Sequence, residues 1–96
     1  MELSTNAERL VASAIKFYTL DSDYPIIMSG KRHCDIYESM WRSSISYLKS
    51  TAIQGFLTDK DRFVDRYEAK SIASAAGQLI VPIEQTYAQL FSEDVW

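Results

Sequence analysis

Short apolar and β-branched runs alternate with polar breaks along this chain, without an internal repeat or a low-complexity segment. Val11 to Leu20 is rich in Val, Ile, Phe, Tyr and Thr, which favours a strand. The break "DSDYP" then allows "IIM" to pair back as a second strand. From Asp35 the period changes. Ile36, Met40, Trp41, Ile45 and Leu48 recur at helical spacing and predict one apolar helix face, with an acidic start that suits the helix dipole.

Gly55 to Thr58 and Arg62 to Val64 read as two strands around the turn "DKD", which lacks the glycine that types a tight turn most clearly. Asp65 stands three residues before Glu68. This spacing predicts a helix N-cap in which Asp65 accepts from an early helical N–H and Glu68 answers its backbone. Ala69, Ile72, Ala73 and Ala76 form a small-residue face, and Gly77 supplies the stop after about three turns. A short helix is expected after Pro82, and the tail ending in Phe91, Val95 and Trp96 is apolar enough to dock on its own chain or on a neighbour. The expected fold is therefore α+β: a small antiparallel sheet with two main helices in a single domain over residues 1–96.

The 96 residues change that picture in one respect, because a chain of this size buries only roughly 60–65% of its unfolded surface. Self-association is expected, through the small-residue helix or the aromatic tail. The single cysteine, Cys34, cannot form an internal disulfide, and "MELSTNAERLVASAIKF" lacks the basic start and apolar run of a signal peptide, so a reducing cytoplasm is the expected compartment. No apolar run approaches the roughly 20 residues that cross a bilayer. A net charge of −3 suits neither binding of long nucleic acid nor imitation of it. All 10 basic residues lie between Arg9 and Lys70, so an anion site must be built from the first three quarters of the chain.

Catalytic constellations are poor. His33 and Cys34 are chain neighbours without an evident third group, and they are too few for a zinc site. "SGKRH" lacks the first glycine of a P-loop, and Asp59 and Asp61 flank a turn where solvated acids are the rule. No enzyme activity, metal or cofactor is expected. Lys31, Arg32 and His33, however, follow a strand and precede a helix, so cations and free backbone N–H groups can converge on a phosphate. Arg62 and Arg66 bracket Phe63, an order suited to stacking a base and holding its phosphates.

"SGKRHCDIY", "QGFLTDKDRFVDRYEAKSIASAAGQ" and "LFSEDVW", in that order over about two thirds of the chain, resemble a group of small bacteriophage proteins. The pattern of that group runs R-H-x-x-I, Q-G-F-x-T, G-R-F-V-x-R-x-E-A, A-G-Q and L-[FY]-S-E-D-L-[WY]. The group that the chain resembles includes the Thoeris anti-defence sponges, which sequester cyclic ADP-ribose isomers made by bacterial immune enzymes. The resemblance implies no catalysis, a homo-oligomer (a dimer or higher, up to a hexamer) with ligand pockets between subunits, and activity in the cytoplasm of the infected host. It also implies binding of a cyclic nucleotide, including cyclic oligonucleotides. By motif, Arg32 and His33 match the R-H pair, Gly55 and Phe56 the G-F pair, Arg62, Phe63, Val64 and Arg66 the R-F-V-x-R segment, and Ser92, Glu93 and Asp94 the S-E-D tail.

The expected ligand-binding set is Lys31, Arg32, His33, Phe56, Arg62, Phe63 and Arg66. Two departures from the pattern stand out: Asp61 replaces the glycine of the turn, and no basic residue lies near the end. A different class of function, inhibition of a host enzyme by direct contact, would use Trp41, Tyr47, Phe91 and Trp96 as exposed anchors.

Overall fold

A computed structural model describes residues 8–96. Four strands form one antiparallel sheet in the order β2-β1-β3-β4: β1 is Leu10–Phe17, β2 Ile26–Gly30, β3 Ile53–Thr58 and β4 Phe63–Asp65. Helix α1, His33–Arg42, lies between β2 and β3 in sequence, and α2, Arg66–Ala75, begins at the residue after β4. Single 3₁₀ turns occur at Lys49–Thr51, Ile83–Gln85 and Ser92–Asp94. The α+β architecture is the one expected from the pattern.

Strand alternation divides the sheet into two unlike faces. Ser13 pairs with Phe56 and Phe56 with Val64, while Ile15 pairs with Met28 and Gln54. These side chains share one face. Ile36 and Met40 of α1 pack there on Ile15 and Phe17, and Ala69 and Ala73 of α2 pack on Phe56, Val64 and Leu10 together with Leu90 and Val95 of the tail. The opposite face carries Ala14, Lys16, Ile27, Ile53, Gly55 and Phe63. No helix among the described residues covers it, and Ile27 and Ile53 are exposed there.

Three expectations need correction. The first helix ends at Arg42 instead of running to Leu48, because Ser44 turns into the left-handed region at φ 56° and Ile45 N donates to Met40 O at 3.1 Å. Ile45 still reaches the core from the following loop, whereas Trp41 is 81% exposed. Asp65 Oδ1 does accept from Glu68 N at 2.8 Å, but the Glu68 carboxylate turns to Arg62 Nη2 at 2.8 Å. The small-residue face of α2 is consumed within the chain: Ala69 and Ala73 have no exposed surface, so close packing of that helix serves its own sheet.

The tail also docks on its own chain. Leu90 and Val95 are buried, and the Trp96 indole meets Phe56 edge-on with centroids 6.1 Å apart. Gln78, the residue after Gly77 (φ 69°), donates to Leu10 O at 2.9 Å and accepts from Leu10 N at 2.8 Å. One side-chain amide thus completes the start of β1, beside the bulge between Leu10 and Ala12.

The "DKD" turn closes without glycine because Asp61 takes φ 59°, and Thr58 Oγ1 accepts from Lys60 N at 3.2 Å. Asp tolerates this region better than most residues but less well than glycine. Asp61→Gly is expected to stabilise the fold by ~0.5–1 kcal/mol, measured as a higher urea midpoint with an unchanged slope. Gly55 admits no side chain: a Cβ there would lie 2.2 Å from Val64 O and 2.6 Å from the Phe63 ring. Gly55→Ala should cost about 3 kcal/mol or more, since the nearer atom is backbone and cannot step aside. Unfolding at the wild-type midpoint would disprove the contact.

Candidate ligand-binding site

Helix α1 starts at His33 with Arg32 as its N-cap, and no side chain caps it. His33 instead turns inward, where Nε2 donates to Gly55 O at 2.8 Å and the ring meets Phe56 edge-on at 5.1 Å. At 8% exposure His33 belongs to the packed interior. Burial pushes its pKa below the ordinary 6.5; the Gly55 hydrogen bond and Glu93 oppose this, and the nearby charge of Arg66 adds to it. Lys31 contributes its carbonyl, which accepts from Ser13 Oγ at 2.9 Å and from Trp96 Nε1, while its side chain is exposed. Arg32 reaches Glu93 at 3.8 Å.

Arg66 opens α2 and points over the helix-covered face of the sheet. Its Nη1 donates to Gln54 Oε1 at 3.3 Å and its Nη2 to Gln89 Oε1 at 2.9 Å. The guanidinium carbon lies 5.0 Å from the centre of the Phe91 ring. Each glutamine is held in turn by a tyrosine: Gln54 Nε2 donates to Tyr37 OH at 3.4 Å and Gln89 Nε2 to Tyr67 OH at 2.8 Å. Among the described residues Arg66 therefore meets neutral acceptors and an aromatic face, and no carboxylate lies within salt-bridge distance of it. Ala52, Gln54, Asp65, Arg66, Tyr67 and Gln89 are among the residues lining a pocket here of about 260 Å³, the Asp65 carboxylate being engaged as the cap of α2. A larger hollow of about 400 Å³ lies against the outer side of α2, with Lys70, Ser71, Ser74 and Ile83 in its wall. Its cation is already committed, since Lys70 Nζ donates to Tyr87 O at 2.7 Å.

The expected set thus splits three ways. Arg32, His33 and Phe56 cluster with Trp96 and Glu93, and Arg66 lies on the same face, near enough to bias the His33 proton. Phe63 lies on the opposite face across Gly55, with Lys16 Nζ 5.8 Å from its ring centre. Arg62 is taken up at the hairpin end, where Nε and Nη2 donate to the two Glu8 oxygens at 2.9 and 2.8 Å and Nη2 also reaches Glu68. That contact holds the Glu8 carboxyl down at about 2 and raises the Arg62 pKa. Gln54, Gln89, Tyr37 and Tyr67 were not anticipated. A signal existed only for Gln54, which alternation places on the Phe56 face two residues before that ring.

Among the described residues no three of His, Cys, Asp and Glu are gathered closely enough to hold a metal ion, and no helix is long and apolar enough to cross a membrane. The arrangement defines a class: a small α+β domain with an arginine, amides and aromatic rings converging on one cleft. Residues 9–96 match the family model described as the phage T4 y16D protein, and the chain belongs to this bacteriophage protein family. Searches of curated proteins and of solved structures each gave no match.

His33 is the single histidine of the chain, which makes its burial testable. Its folded pKa lies below the unfolded value of 6.5, so the unfolded chain binds the proton first as pH falls. Stability should therefore be full above about pH 6.5 and decline as pH drops through that value, by at most ~1.4 kcal/mol per pH unit from this group. His33→Gln should flatten the profile between about pH 6.5 and 5, above the range where carboxylates titrate. An equally steep profile in the variant, followed by urea unfolding, would assign the effect elsewhere.

Proposed function

We propose that this protein captures a cyclic nucleotide immune signal and holds it without cleaving it, in the cytoplasm of the infected bacterium. The observation that carries this reading is Arg66, a half-buried guanidinium stacked on Phe91 and satisfied by amide oxygens in a pocket at a helix start. A buried carboxylate partner would have neutralised that cation. Neutral amides leave its charge available to a phosphate, which accepts both N–H groups of the fork at once.

Phe91 supplies the stacking surface on this face, a role the sequence order alone assigned to Phe63. Tyr67 and Tyr87 stand exposed nearby, at 57% and 72%. Arg32 and Lys31 add positive charge at the other helix start. The resemblance to sponges of cyclic ADP-ribose isomers supports the same ligand class, with cyclic oligonucleotides as further candidates. At about 260 Å³ the pocket falls below the ~300–1,000 Å³ usual for small-molecule sites, enough for a phosphate and part of one ring. A second subunit completing the wall agrees with the expected homo-oligomer. Inhibition of a host enzyme draws support from two of its four anchors, Trp41 and, at the edge of the cleft, Phe91, which are exposed; Tyr47 and Trp96 pack within the chain and are not free to serve.

Titration calorimetry with cyclic ADP-ribose isomers and with cyclic di- and trinucleotides should find a tight ligand that is recovered intact after heating. Loss of one charge-assisted hydrogen bond costs about 1.5–3 kcal/mol, so Arg66→Ala should weaken capture roughly tenfold to a hundredfold. If none of these nucleotides binds the wild type, the capture reading is wrong. Sedimentation should show a dimer or larger species at concentrations on the order of tens of micromolar; a monomer there would remove the shared pocket.

A further inference from the structure

The two glutamines that hold Arg66 differ in what carries them. Gln54 stands in β3, an interior strand paired on both sides. Gln89 stands in the segment 86–89, in which the backbone N–H groups of Tyr87, Ala88 and Gln89 donate to no backbone carbonyl among the described residues. Polar side-chain contacts fasten this segment: Lys70 to Tyr87 O, Arg66 to Gln89 Oε1, and Gln89 Nε2 to Tyr67 OH. The next residue is different, since Leu90 is buried and its N–H donates to Arg66 O at 3.0 Å. A firm anchor therefore adjoins a strap that can yield.

We propose that Gln89 is an internal competitor for the oxyanion site of Arg66, displaced by the ligand while Gln54 stays to orient the guanidinium; the proposal rests on the capture reading above. Gln89 Oε1 holds the shorter of the two amide bonds to the fork, 2.9 against 3.3 Å, and so occupies the position that a phosphate oxygen would take. An oxyanion outcompetes it because both partners are then charged and two oxygens can bind in parallel. The freed amide turns to water at small cost, since Gln89 is only partly buried. Binding then opens the segment 86–89, with Leu90 as its fixed end.

The direct test measures binding of inorganic pyrophosphate by calorimetry at low ionic strength, where screening is least. Wild type is compared with Gln89→Ala, Gln89→Glu and Gln85→Glu, the last placing the same charge at an exposed position of the same tail. Removing the competitor in Gln89→Ala should raise affinity about threefold to tenfold, the equivalent of one intramolecular hydrogen bond no longer to be broken. Gln89→Glu should lower it at least about tenfold, because a tethered carboxylate competes at an effective concentration on the order of millimolar or above. Gln85→Glu should change it by less than about threefold, the long-range charge alone being screened.

Weaker or unchanged pyrophosphate binding in Gln89→Ala, equal losses in the two glutamate variants, or no binding by any of the four proteins would overturn the competitor role. If the pyrophosphate order holds and every cyclic nucleotide fails, the capture reading falls and the competitor role stands.

Discussion

The rest of the structure depends on the missing side chain of Gly55. The backbone at this position is in use on every side: it pairs with Ala14 of β1 and Asp65 of β4, its carbonyl accepts from the His33 ring, and its α-carbon lies under the Phe63 ring. A Cβ would strike Val64 O and Phe63 together. Without that approach β4 could not close on β3, and α2, which follows β4 without a linking residue, would start elsewhere. The same carbonyl draws the first turn of α1 down to the sheet, so one glycine sets the positions of both helix starts.

Those helix starts make the cleft. α1 and α2 cover one face of the sheet, and the residues left at their facing ends are His33, Tyr37, Arg66 and Tyr67, with Gln54 on β3 near them. The tail brings Gln89 and Phe91 against this opening because Leu90 between them is buried in the α2 core cluster. Hydrophobic burial thus fixes the depth of a polar strap. Full burial of a leucine side chain such as that of Leu90 contributes about 1.5–3 kcal/mol.

Arginines of similar local sequence have opposite roles here. Arg62 and Arg66 both flank the "FVD" strand, four residues apart. Arg62 meets Glu8 and Glu68, two carboxylates brought from the chain start and from the second helix, and its charge is spent on joining them. Arg66 meets only amides and a ring among the described residues. Whether a cation is spent on a structural ion pair is decided by its partners, and those come from segments far away in sequence.

Strand and helix periods, the Asp65 cap, the Gly77 stop and the apolar tail are local properties, carried by backbone sterics and side-chain alternation, and they were legible in the sequence by itself. The α+β class followed from them. The length of α1 was not, because helical spacing continued through Ile45 and Leu48 although Ser44 leaves the helix and returns Ile45 to the core by another route. The site was legible in part. Arg32, His33, Phe56 and Arg66 could be named as candidates from their neighbours in the chain, yet which sheet face each would share was not local information. Phe63 went to the open face because strand alternation separates it from Val64, and the helices chose the Val64 side. Gln54, Gln89 and the Gln78 clip on Leu10 depend on pairs 12, 23 and 68 residues apart. Only tertiary packing decides such pairs, since a neutral amide carries no periodic signal and gains its role from the partner that the fold brings within hydrogen-bond reach.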